Sequence, residues 1–338
     1  MRQLSVVFLT LSVLIAVNAR PQQAPPLKLV DTVRIPKPEG NFNHFGVDLK
    51  GNRLFMTLEK LKSVDVFDLR TLKPIHSIGG FGEPVSVLYR GDLDRIYVTD
   101  DAGEALRIYD GKTYDLVQSI KLLPDAEAFA YDTASKYLYI NNGGADAHLS
   151  YCYVSIVDTT SGERVGDIKV DGEAIKGIAL EQSSSKIYVS NRAKNQVDVI
   201  DRERRAVVSS WPIALGKVNL TMALDEPHHR LFVVCRSGSI VVFDTETGKE
   251  LQALPIAENA ADLTFDAASK RLYAPCGAGG GSVNVYQETD PDHYISLGEV
   301  PSGPSARTAL LVPELHRYFV AVPQHENADA ELLVYQVL

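Results

Sequence analysis

The chain has 338 residues, 45% hydrophobic and 23% charged, with 34 Lys+Arg against 43 Asp+Glu for a net charge of −9. This composition fits a folded globular protein and excludes wholesale disorder. The acidic excess argues against a nucleic-acid binder, whose affinity rests on neutralising phosphates with Lys and Arg, and three cysteines are too few for a disulfide scaffold.

The N-terminus reads MRQLSVVFLTLSVLIAVNAR. Arg2 supplies a weak positive start, Leu4 to Val17 form an apolar run of 14 residues, and Val17-Asn18-Ala19 puts small or compact residues at a cleavage position. The run is too short for a comfortable membrane span. The expectation is a cleavable signal peptide over 1–19, a flexible leader over 20–26 and a single domain over 27–338, with the mature protein periplasmic or extracellular. An uncleaved anchor is the alternative for the apolar run.

Beyond residue 27 one phrase recurs: a basic residue, an aliphatic, an aromatic, then small or β-branched residues. Its copies are RLFMT (53–57), RIYVT (95–99), KIYVS (186–190), RLFVV (230–234) and RLYAP (271–275), with looser copies YLYIN (137–141) and RYFVA (317–321). The aromatics are Phe55, Tyr97, Tyr139, Tyr188, Phe232, Tyr273 and Phe319, spaced 41 to 49 residues apart. A second phrase such as VDVFD or LRIYD follows each copy, a third such as SVLYR or TMALD precedes it, and a fourth such as PIHSI or VVSSW closes the unit. Each is short, rich in β-branched and aromatic residues and bounded by turn residues, so each reads as a strand. Four strands in a unit of about 44 residues is the pattern of a β-propeller blade. Asp at the ends of the first and third strands (Asp132, Asp225, Asp266; then DTTSG, DTETG) is expected to accept turn N–H groups, with Gly supplying positive φ.

The last unit ends at Leu338 after its third strand, and LKLVDTVRIP (27–36) matches the closing-strand phrase. The predicted fold is therefore all-β: a seven-bladed β-propeller of four-stranded antiparallel blades, closed by the N-terminal strand completing the last blade. An open ring would expose two apolar blade faces.

The phrases RIYVT, KIYVS and RLFVV resemble the YVTN-type repeat, and residues 27–338 resemble exported bacterial YncE-like seven-bladed propellers. NHFGVDLKGNRLF (43–55), TMALDEPHHRLFVVCR (221–236) and SARTALLVPELHRYFVAVP (305–323) resemble one branch of that family. The resemblance implies the fold and little chemistry, because propellers carry many unrelated functions. Tyr137, Gln287 and Gln336 depart from the repeat.

In a propeller, the loops before the first strand and between the second and third strands ring one mouth of the central channel. Those segments carry His44, Glu83, Glu127, Arg236, Asp262 and Arg307, the candidate ligand-binding residues, and also Glu59, Asp100, Asp101, Asp125, Lys176 and Arg192. They form a funnel of mixed sign. Arg236 and Arg307 suit a carboxylate or phosphate held in bidentate fashion. His44, Glu83 and Asp262 are the candidate metal ligands, for calcium or zinc. The plain alternative is a solvated, mutually salt-bridged rim without a ligand.

Weaker candidates give way to structural readings. His228-His229 with Glu226 fall on a turn of the opposite face and read as solvated. GAGGGS (277–282) precedes a strand, not a helix, so it is a loop and not a phosphate cradle. HENAD (325–329) lacks the second His of a zincin, and no G-x-S-x-G elbow or CxxCH haem motif occurs. The sequon at Asn219 enters a strand, Trp211 reads as core, and Cys152, Cys235 and Cys276 read as reduced, partly buried thiols.

Two functions follow. The first is an exported binding or interaction protein, non-catalytic and monomeric, presenting the funnel to a small ligand or protein partner, with neither nucleic acid nor membrane as partner. The second is a metal-dependent, lactonase-like hydrolase with a divalent cation at the mouth activating water. A quinone- or haem-linked role is disfavoured by the single Trp and the missing haem motif.

Overall fold

The structure is a computed structural model that describes residues 24–35, 40, 42–326 and 328–338. The signal-peptide reading and the first part of the leader lie outside the described residues. Among them, the chain forms seven four-stranded antiparallel sheets, and the helical content is limited to the 3-10 turns Gly144–Ala147, Glu226–His228 and Pro313–Leu315. The seven-bladed propeller expected from the repeat is the fold. We number the blades in chain order from residue 42 and letter each blade's strands a to d in spatial order.

The first six blades are each a continuous four-strand meander, from Phe42–Asp48 in blade 1 to His293–Pro301 in blade 6. Blade 7 takes strands a to c from the C-terminal segments Thr308–Val312, Arg317–Val322 and Ala330–Val337. Its strand d is Leu27–Ile35, antiparallel to Ala330–Val337, with Leu27 opposite Val337 and Ile35 opposite Ala330. The closing strand lies where the sequence placed it, with a register shift between Leu29 and Asp31.

The recurrent phrase has a simple physical basis. In strand b successive side chains point to opposite faces of the sheet, and here each face meets a different neighbour. The aromatic points to the following blade and the flanking aliphatics to the preceding one. Tyr97 packs with blade 3 while Ile96 and Val98 pack with blade 1; Phe232 packs with blade 6 while Leu231 and Val233 pack with blade 4. The outcome is seven apolar clusters, one between each pair of adjacent blades, including the pair that closes the ring. Trp211, in strand d of blade 4, is half-buried against Tyr188 and Phe243 and joins the cluster between blades 4 and 5.

The basic residue that opens the phrase faces the acid that ends strand c. Arg95 pairs with Asp110 at 2.8 Å and Arg230 with Asp244 at 3.1 Å. Where Gln replaces the acid the contact persists: Arg271 donates to Gln287 at 3.1 Å and Arg317 to Gln336 at 2.9 Å. The strand-c aspartates also accept turn N–H groups as expected: Asp68 from Arg70 and Thr71, Asp110 from Lys112 and Thr113, Asp244 from Glu246 and Thr247. Positive φ in these turns is not reserved for glycine. Gly162 and Gly248 supply it in two blades, but Leu72, Tyr114 and Arg205 adopt φ of 56°, 62° and 53° in others. The three cysteines are free and fully buried, not partly so. Asn219 of the sequon is buried and donates to Ser190 at 2.6 Å.

Candidate functional site: the charged channel mouth

Each strand b delivers a residue to the mouth at a fixed offset. The residue three places after the aromatic is buried and ends the strand in every blade but the third, whose strand runs one residue further to Gly143: Leu58, Asp100, Asn142, Asn191, Cys235, Cys276 and Val322. Several of these polar side chains fasten the loop that enters their blade. Asp100 accepts from the N–H of Gly82 at 2.9 Å and of Glu83 at 2.7 Å, and is held in turn by Arg107 at 2.6 Å. Asn142 accepts from the Leu123 N–H at 3.2 Å. Asp100 therefore positions Glu83 and is not itself a funnel residue. The residue one place further on is the first of the loop, and in blades 1, 2, 4 and 5 it is Glu59, Asp101, Arg192 and Arg236.

These side chains converge. A cavity of about 200 Å³ is lined by residues of all seven blades, among them His44, Glu59, Glu83, Glu127, Lys176, Arg236 and Arg307, so it lies on the ring axis. Asp262 joins them through His44, whose Nδ1 lies 3.1 Å from its Oδ1. All six candidate ligand-binding residues thus meet at one place. Beside blades 1 and 2 the mouth opens into a wider depression of about 750 Å³ that shares Glu59 and Glu83 and reaches Gln324.

The ring of charge is polarised. Blades 1 to 3 bring the acids Glu59, Glu83, Asp101, Asp125 and Glu127, whereas blades 4, 5 and 7 bring Lys176, Arg192, Arg236 and Arg307; His44 of blade 1 and Asp262 of blade 6 run against this division and pair with each other. On the acidic side, burial and then the charges of Asp101, Glu59 and Glu127 push the Glu83 carboxyl up to about 7. Burial also raises Asp101 and Asp125. Lys176 stands against this group, paired with Asp125 and, at 2.9 Å, with Glu127. Burial opposes protonation of His44, but Asp262, with Glu127 behind it, overcomes that and holds its pKa above the ordinary value.

The basic side is less well compensated. The ion pairs of the rim engage Lys176 and His44; neither Arg236 nor Arg307 takes part in one with a described carboxylate. Arg236 Nε is buried without a hydrogen-bond partner. Its guanidinium is pulled below the ordinary arginine value by burial first, then by Arg307 and Arg192. Arg307 has one long contact, to Asn259 Oδ1 at 3.5 Å.

The metal reading of the mouth changes. His44 and Asp262 come together, but Glu83 does not join them. Among the described residues the groups whose potential ligand atoms lie within 4.8 Å of one another are Asp101, Asp125 and Glu127 at the mouth, and Asp225, His228 and Glu288 elsewhere. In the first group the Lys176 ammonium already sits on two of the three carboxylates. The second lies on the opposite face, where Glu226 accepts N–H groups of Gln182 and Ser183 instead of joining His228. Sequence reasoning missed Glu288; its one signal is that Gln287 breaks the repeat just before it.

Fold and mouth together define a seven-bladed β-propeller protein with a charged axial cavity. No family model matches the chain. Over 222 residues, 58% of the chain and 46% of the relative, it is 24% identical to Antigen Lp49 of Leptospira interrogans. Over 152 residues, 44% of the chain and 39% of the relative, it is 25% identical to the seven-bladed beta-propeller protein Rv1057 of Mycobacterium tuberculosis. The matched region thus spans less than half the length of either curated relative. Among solved structures, a chain from the crystal structure of a mitotic checkpoint complex superposes with a TM-score of 0.75 at 12% identity, covering 100% of this chain and 99% of that one. A chain of Kuenenia stuttgartiensis hydrazine synthase does so with a TM-score of 0.71 at 16% identity, covering 86% and 94%. At these identities the likeness shows the fold alone.

Proposed function

We propose that this propeller is a binding protein whose channel mouth holds a small molecule through a carboxylate or phosphate group seated on Arg236 and Arg307. The observation that carries the proposal is the weakly compensated arginine pair: two neighbouring cations in no ion pair with a described carboxylate, Arg236 feeling Glu127 only at a distance and keeping a buried, unsatisfied Nε–H. Leaving a buried donor unpaired is costly, and an oxyanion bound by both guanidinium groups satisfies it with charge-assisted hydrogen bonds. Glu59 and Glu83 across the cavity suit a ligand that also carries an ammonium or hydroxyl group. The axial cavity admits a small molecule or the tip of a larger one.

The hydrolase reading is less well supported, because Lys176 takes the place a cation would occupy among Asp125 and Glu127. Export through residues 1–19, a monomeric state and the finer resemblance to YncE-like exported propellers belong to this proposal. They rest on the N-terminal apolar run and on the RIYVT-type phrases.

Calorimetric titration with succinate and with inorganic phosphate tests the anion site. Arg236→Gln and Arg307→Gln should each weaken binding by roughly 10- to 100-fold, the scale of one hydrogen bond to a charged group, with the thermal midpoint kept or raised. Binding of both anions that is unchanged in the two variants would remove the arginine pair from the site.

A further inference from the structure

On the face opposite the channel mouth, blades 5 and 6 meet at three side chains that depart together from the repeat. In blades 3 and 6 the aspartate ending strand a serves its turn: Asp132 accepts from the Ala134 N–H at 2.9 Å and Asp266 from the Ala268 N–H at 3.1 Å. Asp225, its equivalent in blade 5, turns instead to His228 in the following 3-10 turn, with Oδ2 2.6 Å from Nδ1. The residue just past the strand-c acid, or past the Gln that replaces it in blades 6 and 7, donates its N–H across the blade in each of Leu69, Gly111, Thr159, Arg202, Thr245, Glu288 and Val337. Glu288 is the only carboxylate in that series.

The Glu288 side chain is fully buried, no described N–H or hydroxyl donates to either carboxylate oxygen, and its hydrogen-bonding neighbour is the Asp225 carboxyl. Its nearest cation, Lys270 Nζ, lies 3.9 Å away on a half-exposed side chain, beyond hydrogen-bond reach. Burial first, then Asp225, holds the Glu288 carboxyl above its ordinary value. A buried ionised carboxylate without a partner is among the costlier features a fold can carry. Here it is aimed at a second buried carboxylate and an imidazole, with one potential ligand atom from each of the three within 4.8 Å of the others.

We propose that Asp225, His228 and Glu288 bind one divalent cation of the zinc class, which ties blade 5 to blade 6. Two carboxylates and an imidazole form a mixed oxygen–nitrogen donor set of three, with water completing four-coordination, as zinc accepts. Calcium is a poorer match, because it calls for six to eight oxygen ligands. The ion neutralises both buried carboxylates, and Lys270, already half in solvent, moves away from it. Since the ligands come from two blades, the site exists only in the folded ring, so the cation stabilises the native state by mass action. The site is separate from the arginine pair and does not depend on it.

The test uses the full mature chain, stripped with a chelator and titrated with zinc chloride by calorimetry, with thermal unfolding followed in parallel. One zinc per chain and a raised midpoint are expected. Glu288→Gln removes the buried charge while keeping the shape, and His228→Ala removes a partly exposed ligand. Each should weaken zinc binding by about 100-fold or more and abolish the midpoint shift, while the far-ultraviolet circular dichroism and cooperative unfolding of the metal-free variants report that the ring is intact. Should Glu288→Gln fail to fold, His228→Ala gives the same reading alone. Wild-type protein that takes up no zinc would overturn the proposal and leave the two carboxyls sharing a proton. Zinc bound equally well by the variants would overturn it too, by placing the ion elsewhere.

Discussion

Glu83 shows how a single residue can set the behaviour of the mouth. Its loop is fixed by the Asp100 carboxylate, so the side chain is held among Glu59, Asp101 and Glu127 and cannot relax away from them. Burial and that crowding lift its carboxyl to about 7. Glu83 is neutral at pH 6 and charged at pH 8, and the added negative charge opposes an anion in the same cavity. His44, whose protonated form Asp262 favours against the cost of burial, keeps its positive charge to higher pH than a free imidazole. Sulfate, whose own charge is constant here, should bind about 3- to 10-fold more weakly at pH 8 than at pH 6, the scale of a charge interaction near 1 kcal/mol across a solvated cleft. Glu83→Gln should flatten most of that slope in a calorimetric pH series, and an unchanged slope would take Glu83 out of the site. The sign for stability follows from the same shift. A carboxyl whose folded pKa lies above its unfolded value loses protons less readily when folded. Its contribution therefore falls as pH rises from about 4.5 to 7, and Glu83→Gln should gain roughly 1 kcal/mol at pH 8, allowing for its partial exposure. Much of this site was legible in the sequence, because the repeat fixes which residue leaves each strand b at the mouth, and Glu59, Asp101, Arg192 and Arg236 all occupy that one offset. The separation of sign around the ring was not, since it depends on which blade follows which and on Lys176 crossing to Asp125 and Glu127.

At the scale of the element, strand Leu27–Ile35 closes the ring through its backbone and its two buried ends. It is largely exposed, and Leu29 and Val30 face solvent. Its two ends are buried, Leu27 in the cluster between blades 6 and 7 and Ile35 in the cluster between blades 7 and 1. The strand therefore joins both neighbours of the last blade while covering the edge of Ala330–Val337. A chain beginning at residue 36 should lose about 3–6 kcal/mol, from two buried aliphatic side chains at roughly 1.5–3 kcal/mol each. It should also self-associate through the uncovered edge. Adding a synthetic peptide of residues 24–35 should restore the midpoint; a truncated chain as stable and monomeric as the full one would contradict this role. The match of LKLVDTVRIP to the closing-strand phrase made this strand legible. The meeting of Asp225, His228 and Glu288 was not legible. They are joined across a blade boundary, and a repeat-by-repeat comparison treats each as a turn residue of its own blade.

The whole molecule is a ring in which seven similar apolar cores hold the blades together and seven unlike loop ends set the charge of the mouth. Alternation along strand b explains why the repeat tolerates Phe or Tyr at the anchor and yet keeps aliphatics on both sides of it: one face must match the next blade and the other the previous blade. Chain closure by the N-terminal strand leaves no blade face uncovered, and this rigid frame brings residues more than 260 apart in sequence, such as His44 and Arg307, to one cavity of about 200 Å³. Because each blade contributes only one to four residues there, the charge at the axis is set blade by blade without disturbing the cores. The central claim is that this axis carries a preformed anion seat on its arginine side. Anomalous diffraction from crystals soaked in bromide examines it directly. The account predicts a bromide peak between the Arg236 and Arg307 guanidinium groups; Arg236 swung onto Glu127 with no bromide beside it would contradict the account.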